Sequence, residues 1–541
     1  MGKIEVKCFA LNDFAQGVFK IGKQNEYASN LLPKEVANVD KGKNGKYYVS
    51  SYLKKSESRV DPKCELYNKC GGCHILHMNK EAQKEFKLDY VTTALKDYKI
   101  NPKIDRYLEA EISEGYRNKM QVAYSYKDGK IVYGFYEEES HRIIPMKSCL
   151  VQTKRQNEIV RVCAEIMQNM RIQPYNEDKR IGLVRFIMVR EAFKTGEVLV
   201  TIVTNSEIFP GRSEFVKRLK QKCPYITSIV QNINKRKTSI ILGDDERVLY
   251  GPGYIKDVLC GIEFKISSKT FYQINPYQTE KLYNVVKEYA SLTGNEYVLD
   301  AYCGVGTIGM TLAKDAKRVI GVENNKQSVI NARLNASDNK IKNMSFVCDD
   351  ATAYMKNLKD EFDVLIMDPP RSGSTDDFLS VVNNSNIKKV VYVSCEAKTL
   401  ARDLAKLTNY RIVNKTIVDM FVGTYHVETV VLLSHKDSNK HINVKVDFDT
   451  QEGKQFLDEI IENVNSRKPV ERASYPEIKE YILNKYNVKV STLNIAQIKA
   501  KYGIIERECY NKPKNENPRQ PKCTKEKEEL IVDALKHFEM I

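Results

Sequence analysis

Cys395 lies in the segment YVSCEAKT (residues 392–399), behind a DPPRSG corner at 368–373 and ahead of Glu428, which closes VDMFVGTYHVE at 418–428. A cysteine between a strand-like apolar run and a helix-like one is usually an inert small hydrophobe. Strand ends of open α/β sheets, however, are where ligands bind. Upstream, DAYCGVGTIG at 300–309 is a glycine-rich strand-to-helix turn, the kind of backbone that closely approaches a nucleotide-like cofactor. A thiol nucleophile, a carboxylate able to take a proton and a cofactor turn together imply covalent group transfer.

Residues 262–435 must position these groups. Apolar runs end at Tyr302, Glu323, Asp350, Asp368 and Ser394, with helical stretches between them. The runs lack polar alternation, so they predict a parallel sheet covered on both faces, an α/β doubly wound domain. Runs near 411–419 and 427–433 are expected to add a closing hairpin. Glu323, placed to bond ribose hydroxyls, and the glycine turn would also suit a dinucleotide dehydrogenase. Acidic ends on the next strands, Asp349-Asp350 and Asp368 before two prolines, point to S-adenosylmethionine instead.

The flanking regions follow other patterns. Residues 1–57 alternate β-type runs with turns at Gly17, Gly22, Gly42 and Gly45, predicting a small β-barrel. Its lysines form either an RNA surface or a solvated basic face. Residues 58–261 predict a mixed α+β region in which Arg and Tyr interleave, as in GYRNKMQV at 115–122, a composition suited to single-stranded nucleic acid. After a polar linker at 435–441, residues 447–541 predict a helical, winged-helix-like extension or a helical packing appendage, with Ser491 capping a helix that runs to Lys501. Lys499, Lys501, Lys512, Lys514 and Arg519 are expected to give it a salt-sensitive RNA contact.

Lys and Arg number 86 against 70 Asp and Glu, and the net charge of +16 favours a polyanion, nucleic acid first. No apolar run reaches the roughly 18 residues a membrane span needs, and the start MGKIEV has no signal-peptide core, so a cytoplasmic protein without membrane partners is expected. In that compartment the 13 cysteines should be thiols or metal ligands. Cys64, Cys70 and Cys73, with Cys149 downstream, offer four thiolates for which zinc is the default on spacing alone.

Together FYQIN (271–275), DAYCGVGTIG, DPPRSG, VYVSCEAKT (391–399) and VDMFVGTYHVE resemble the bacterial RNA (uracil-C5) methyltransferases of the RumA/TrmA family. The resemblance covers most of residues 1–435. It implies a Rossmann-like class I methyltransferase domain behind a TRAM- or OB-like barrel. It implies that Gln273, Tyr302, Glu323, Asp368 and, less directly, Asp350 contact S-adenosylmethionine, that Cys395 is the nucleophile and that Glu428 is the base. In the resembling rRNA enzymes the matching cysteines hold a 4Fe-4S cluster, so that cluster is expected at Cys64, Cys70, Cys73 and Cys149, with zinc the alternative. The implied partner is RNA, 23S rRNA ahead of the tRNA T-loop, because the tRNA branch typically lacks the barrel and the four-cysteine region. A monomer is expected. A catalytically silent iron-sulfur RNA-binding protein is the reading from a different class; the presence of both Cys395 and Glu428 speaks against it. Two positions depart from the family pattern: Glu396 replaces an Asn and Val422 a Pro, and both bear on loop geometry.

The chemistry needs these residue types. C5 of uracil is a poor nucleophile until a thiolate adds at C6 and pushes electron density onto it. After methylation the C5 proton must leave before the thiol can. Arg371, close in sequence to the acidic corner, is expected to help expose the thiolate.

Overall fold

The computed structural model describes residues 3–42, 44–137, 140–238, 240–357, 361–436, 475–501 and 523–538. The chain divides into two units, Met1–His441 and Ile442–Ile541.

Continuous apolar runs become parallel strands because both of their faces are covered. In the larger unit they build an eight-stranded sheet ordered Met344–Cys348, Arg318–Glu323, Tyr297–Ala301, Val364–Met367, Lys389–Ser394, Glu428–His435, Tyr410–Val418 and Arg106–Leu108. The first five are parallel, and Glu428–His435 returns antiparallel between Lys389–Ser394 and Tyr410–Val418. The chain enters at Tyr297–Ala301, builds outward to one side, then crosses to Val364–Met367 and builds to the other. That reversal opens a crevice at the carboxyl ends of these two strands, where ligands of such sheets bind. Two apolar clusters fill the sheet, one around Val298, Val319, Ile366 and Val391, the other around Leu299, Leu365, Val390 and Phe378.

Helices start where local chemistry dictates. Asn325 accepts from the backbone of Ser328, Asp350 from Thr352 and Ala353, and Thr375 from Phe378, each capping the helix that follows. Segments upstream of 262 also join this sheet. Arg106–Leu108 pairs parallel with Tyr410–Val418, and helix Lys80–Asp97 buries Val91, Ala94 and Leu95 in the second cluster.

Residues 4–54 form a six-stranded sheet with its own core of Val6, Cys8, Phe19, Leu31, Ala37 and Val39. A seven-stranded sheet spans 119–250, backed by helices Lys154–Asn169 and Arg212–Lys222. In the smaller unit, helices Tyr475–Tyr486, Thr492–Lys501 and Lys525–His537 enclose Ile478, Ile482, Ile495, Ile498 and Leu535. Ser491 caps the second helix, its Oγ accepting from the backbone of Asn494 at 3.1 Å. Lys499 is not on the surface, as the charge pattern suggested; it is 2 % exposed and lies 4.5 Å from the Tyr475 ring centroid. Lys501 pairs with Glu528. Lys512, Lys514 and Arg519 lie outside the described residues. Among the described residues no helix is long and apolar enough to cross a membrane.

Candidate active site

Register brings Cys395 and Glu428 together. Ser394 lies opposite Thr429 at the last rung of the antiparallel pair, so Cys395 and Glu428 both emerge at this end, and Glu428 is the charge that acts most on the thiol. Met367 pairs with both Ala301 and Tyr392, which puts Tyr302 and Asp368 on the same edge, and Glu323 ends the neighbouring strand.

This edge is rich in acid and poor in cation. Glu428 is 2 % exposed, and burial followed by the charge of Asp368 holds its carboxyl well above the ordinary range. Burial lifts Asp368 to about 7. Buried Asp300 is lifted to about 7 by desolvation against one compensating bond, the Gly309 N–H donating at 2.9 Å. The half-buried Cys395 thiol is pushed up to about 12 by burial first, then by Glu428 and Asp368, with Arg371 pulling it down. Arg371 therefore offsets the burial only in part. Its guanidinium is already engaged, donating to Glu396 Oε2 from Nε at 3.2 Å and from Nη2 at 3.1 Å. Buried carboxyls lifted in this way would ionise beside a positively charged ligand, and among the described residues Arg371 is the cation that acts on the Cys395 thiol.

The glycine turn has the conformation its residues predict. Gly304 and Gly306 sit at φ +56° and +79°, and a Cβ on Gly306 would meet Phe346 at 2.7 Å. Tyr302 is also left-handed, at φ +62°, a position costing a non-glycine residue about 1–2 kcal/mol. Glu323 accepts from Gly304 N at 3.0 Å and from Asn325 N at 2.8 Å, fixing the turn to the next strand. Gln273 is half-buried just ahead of helix Pro276–Ala290, its carbonyl accepting from Asn118 Nδ2 at 2.8 Å. Asp350 is exposed and spends Oδ1 on its helix cap.

Several residues that hold the site were missed in the sequence. Tyr90, on helix Lys80–Asp97, donates to Glu396 Oε1, so Glu396 leaves the helix after Cys395 without a side-chain cap. Buried Asp403 accepts from Ser374 N at 2.8 Å and Tyr392 Oη at 2.6 Å, locking the 368–374 corner to that helix. The 419–424 loop is gripped from several sides. Lys87 donates to Asp419 at 2.5 Å, Asn275 to Met420 O at 3.0 Å, Tyr116 to Val422 O at 3.1 Å, and the His74 and Ile75 amides to Gly423 O at 2.9 and 3.1 Å. Asn275 had a signal, as a capping residue before a proline. Tyr90 and Lys87 had none, because their partners lie more than 300 residues away.

Cys64, Cys70, Cys73 and Cys149 line one cavity of about 770 Å³, whose wall also includes Arg117, Asp419 and Val422. All four are half-buried free thiols. Burial pushes Cys73 up to about 12 against the pull of Arg117, and it raises Cys70 and Cys149 as well. Among the described residues, no three His, Cys, Asp or Glu side chains are set so as to hold a metal ion.

The model of the family described as tRNA (Uracil-5-)-methyltransferase matches residues 79–436. An RNA methyltransferase of Clostridium tetani is 36 % identical over 435 residues, covering 79 % of this chain and 95 % of its own. Another, from Listeria monocytogenes, is 39 % identical over 440 residues, covering 80 % and 97 %. Among solved structures, the tRNA (uracil-54, C5)-methyltransferase of Pyrococcus abyssi, in complex with S-adenosyl-L-homocysteine, superposes with a TM-score of 0.66 at 27 % identity, over 79 % of this chain and 99 % of that one.

Proposed function

The chain belongs to the RNA (uracil-5-)-methyltransferase family, and from that premise we propose that it methylates C5 of a uridine in 23S rRNA through a covalent bond between Cys395 and C6 of the base. One observation carries the reading: the register that brings a half-buried thiol and a buried carboxyl to one end beside the cofactor crevice. S-adenosylmethionine, when bound, supplies an electrophilic methyl group on a cationic sulfur. Gln273, Tyr302, Glu323 and Asp368 would hold it, with Asp350 at the rim, and the excess of acid at this edge fits its charge.

The remaining work falls to the chain's own groups. The Cys395 thiolate adds to C6, and the electron pair displaced from the C5–C6 bond is delivered from C5 to the incoming methyl carbon. Glu428 then takes the C5 proton, the C5–C6 double bond re-forms, and sulfur leaves with the electrons of the broken C–S bond. A carboxylate whose proton affinity is raised by burial is a stronger base for this step once ionised.

The four cysteines are read as ligands of a 4Fe-4S cluster. A single zinc ion needs sulfurs converging on bonds of about 2.3 Å. The four thiols share one cavity with Arg117, and the choice of a cluster over zinc follows from the family resemblance. The six-stranded N-terminal sheet is read as a TRAM-like RNA-binding module.

Bulk of RNA surface supports rRNA: the N-terminal sheet and the cysteine region add more than one small loop requires. The Pyrococcus enzyme favours a second reading, a tRNA T-loop uridine. Its likeness extends over 79 % of this chain, well beyond residues 262–435, so the N-terminal regions do not by themselves separate the two substrates. Labelled methyl transfer to unmodified 23S rRNA and to unmodified tRNA decides between them. Efficient tRNA methylation with untouched rRNA would overturn the rRNA assignment. No transfer to either would leave a silent RNA-binding protein.

A further inference from the structure

The turn at residues 12–16 presents an aromatic ring to solvent and holds it there firmly. Asn12 Oδ1 accepts from the backbone of Phe14 at 3.0 Å and of Gln16 at 2.9 Å, and Asn12 Nδ2 donates to Gln16 Oε1 at 2.9 Å. Ala15, at φ +58° and 1 % exposed, anchors the turn in a small core with Leu32, Ile75 and Phe86. Phe14 at the tip remains 56 % exposed.

This tip is docked beside the candidate nucleophile. Asp13 pairs with Lys398, three positions after Cys395. The Phe14 ring meets Tyr425 edge-on, with centroids 5.7 Å apart. Tyr425 in turn lies 4.3 Å from the His74 ring and 4.4 Å from that of His426. His426 Nδ1 is 3.4 Å from Arg371 Nη2, and Glu428 follows two residues later. An aromatic path thus runs from an exposed ring to the edge of the site, with the largely exposed Arg371 guanidinium at its inner end. Three segments distant in sequence contribute to it, so chance exposure of a single surface ring does not describe it. Burial and Arg371 depress His426 to about 4, so its ring is uncharged at neutral pH.

We propose that Phe14, backed by Tyr425, His74 and His426, stacks on an unpaired nucleobase adjoining the target uridine and so holds that uridine out of its own stack. The proposal rests on the reading of the chain as a uridine methyltransferase, which requires a base displaced from its neighbours. Aromatic stacking tolerates every base, so the platform recognises single-strandedness and not sequence.

The test uses the full chain and a 12-nucleotide oligouridylate carrying one 5-iodouridine, whose photocrosslinks form with rings stacked on it. Crosslinked peptides should contain Phe14 or Tyr425. Phe14→Leu should abolish the Phe14 crosslink and raise KM for RNA on the order of ten-fold, as loss of one stacked base implies, with S-adenosylmethionine affinity unchanged. Phe14→Trp should restore both. Crosslinks confined to other segments, or a Phe14→Leu KM within about two-fold of the parent, would overturn the proposal. If the parent protein transfers no methyl group, the uridine reading fails by itself, and crosslink position with oligonucleotide affinity still decides the role of Phe14.

Discussion

Two thiol sites in this chain are linked by the 419–424 loop and differ in the charges that act on their sulfurs. At the sheet edge, Cys395 faces Glu428 and Asp368, with Asp300 near, and its one cation is partly spent on Glu396. At the other site, four cysteines share a cavity wall with Arg117, and the charges that act most on Cys73 are Arg117 and the other three thiols, although Glu109, Glu114 and Asp419 also line that cavity. Burial pushes both sets of thiols upward by the same mechanism. The surroundings separate them: the acidic edge suits the sulfonium of the proposed methyl donor, whereas the four thiols, which share their cavity with Arg117, are the proposed ligands of the cluster. Asp419 and Val422 line the cavity while belonging to the loop that leads to Glu428.

Inflicting the same lesion on each site sharpens that contrast most. Cys395→Ala should abolish the denaturation-resistant adduct with 5-fluorouridine RNA and lower methyl transfer by at least about a thousand-fold, leaving metal content intact. Cys73→Ala should do the reverse to the metal: anaerobically purified parent protein should carry about four irons per chain, and the variant should bleach while still binding S-adenosylmethionine. An adduct on the Cys395→Ala protein, or stoichiometric zinc without iron in the parent, breaks the contrast.

Next in size is Glu428→Gln. Loss of a general base should slow turnover roughly 10²- to 10⁴-fold, and covalent RNA should accumulate on ordinary, unfluorinated substrate in denaturing gels. Unchanged turnover would remove Glu428 from the mechanism.

Acidity at the edge predicts a smaller, pH-dependent effect. Asp300 and Asp368 sit near 7, above their unfolded values, so the native chain holds more protons than the unfolded one between about pH 4 and 7 and loses stability as pH rises through that window. A cationic sulfonium favours their ionised forms. Affinity for S-adenosylmethionine relative to S-adenosylhomocysteine, whose sulfur is uncharged, should therefore rise several-fold from pH 6 to pH 8 by calorimetry. A flat ratio would mean that the edge does not sense the charge.

The smallest effect concerns Glu396. Glu396→Gln should release Arg371, let it pull harder on the Cys395 thiol and move the acid limb of the pH–rate profile down by about half a unit. An upward shift would show that Glu396 serves by placing Arg371 and not by neutralising it.

Much of the sheet was legible because parallel strands advertise themselves as unbroken apolar runs, and the closing hairpin at Tyr410–Val418 and Glu428–His435 lies where those runs suggested. Arg106–Leu108 was not, being three residues long and stabilised only by an edge found far along the chain. Lys499 was misjudged because charge alone does not reveal that its stem is buried and its head lies over Tyr475.

What the sequence determined by itself is local: the caps at Asn325, Asp350 and Thr375 depend on neighbours within about four residues, and the glycines of the 300–309 turn announce a backbone at φ > 0. The types of the proposed reacting groups, a thiol and a carboxylate, were likewise present in the sequence. Their meeting was not. An antiparallel return strand brings Cys395 and Glu428 to one end, Tyr90 and Lys87 reach across more than 300 residues to steady the loops, and the turn at Phe14 docks beside Lys398. Only the folded chain decides these, because strand register and the charge around a buried group are set by packing between segments that the sequence keeps apart.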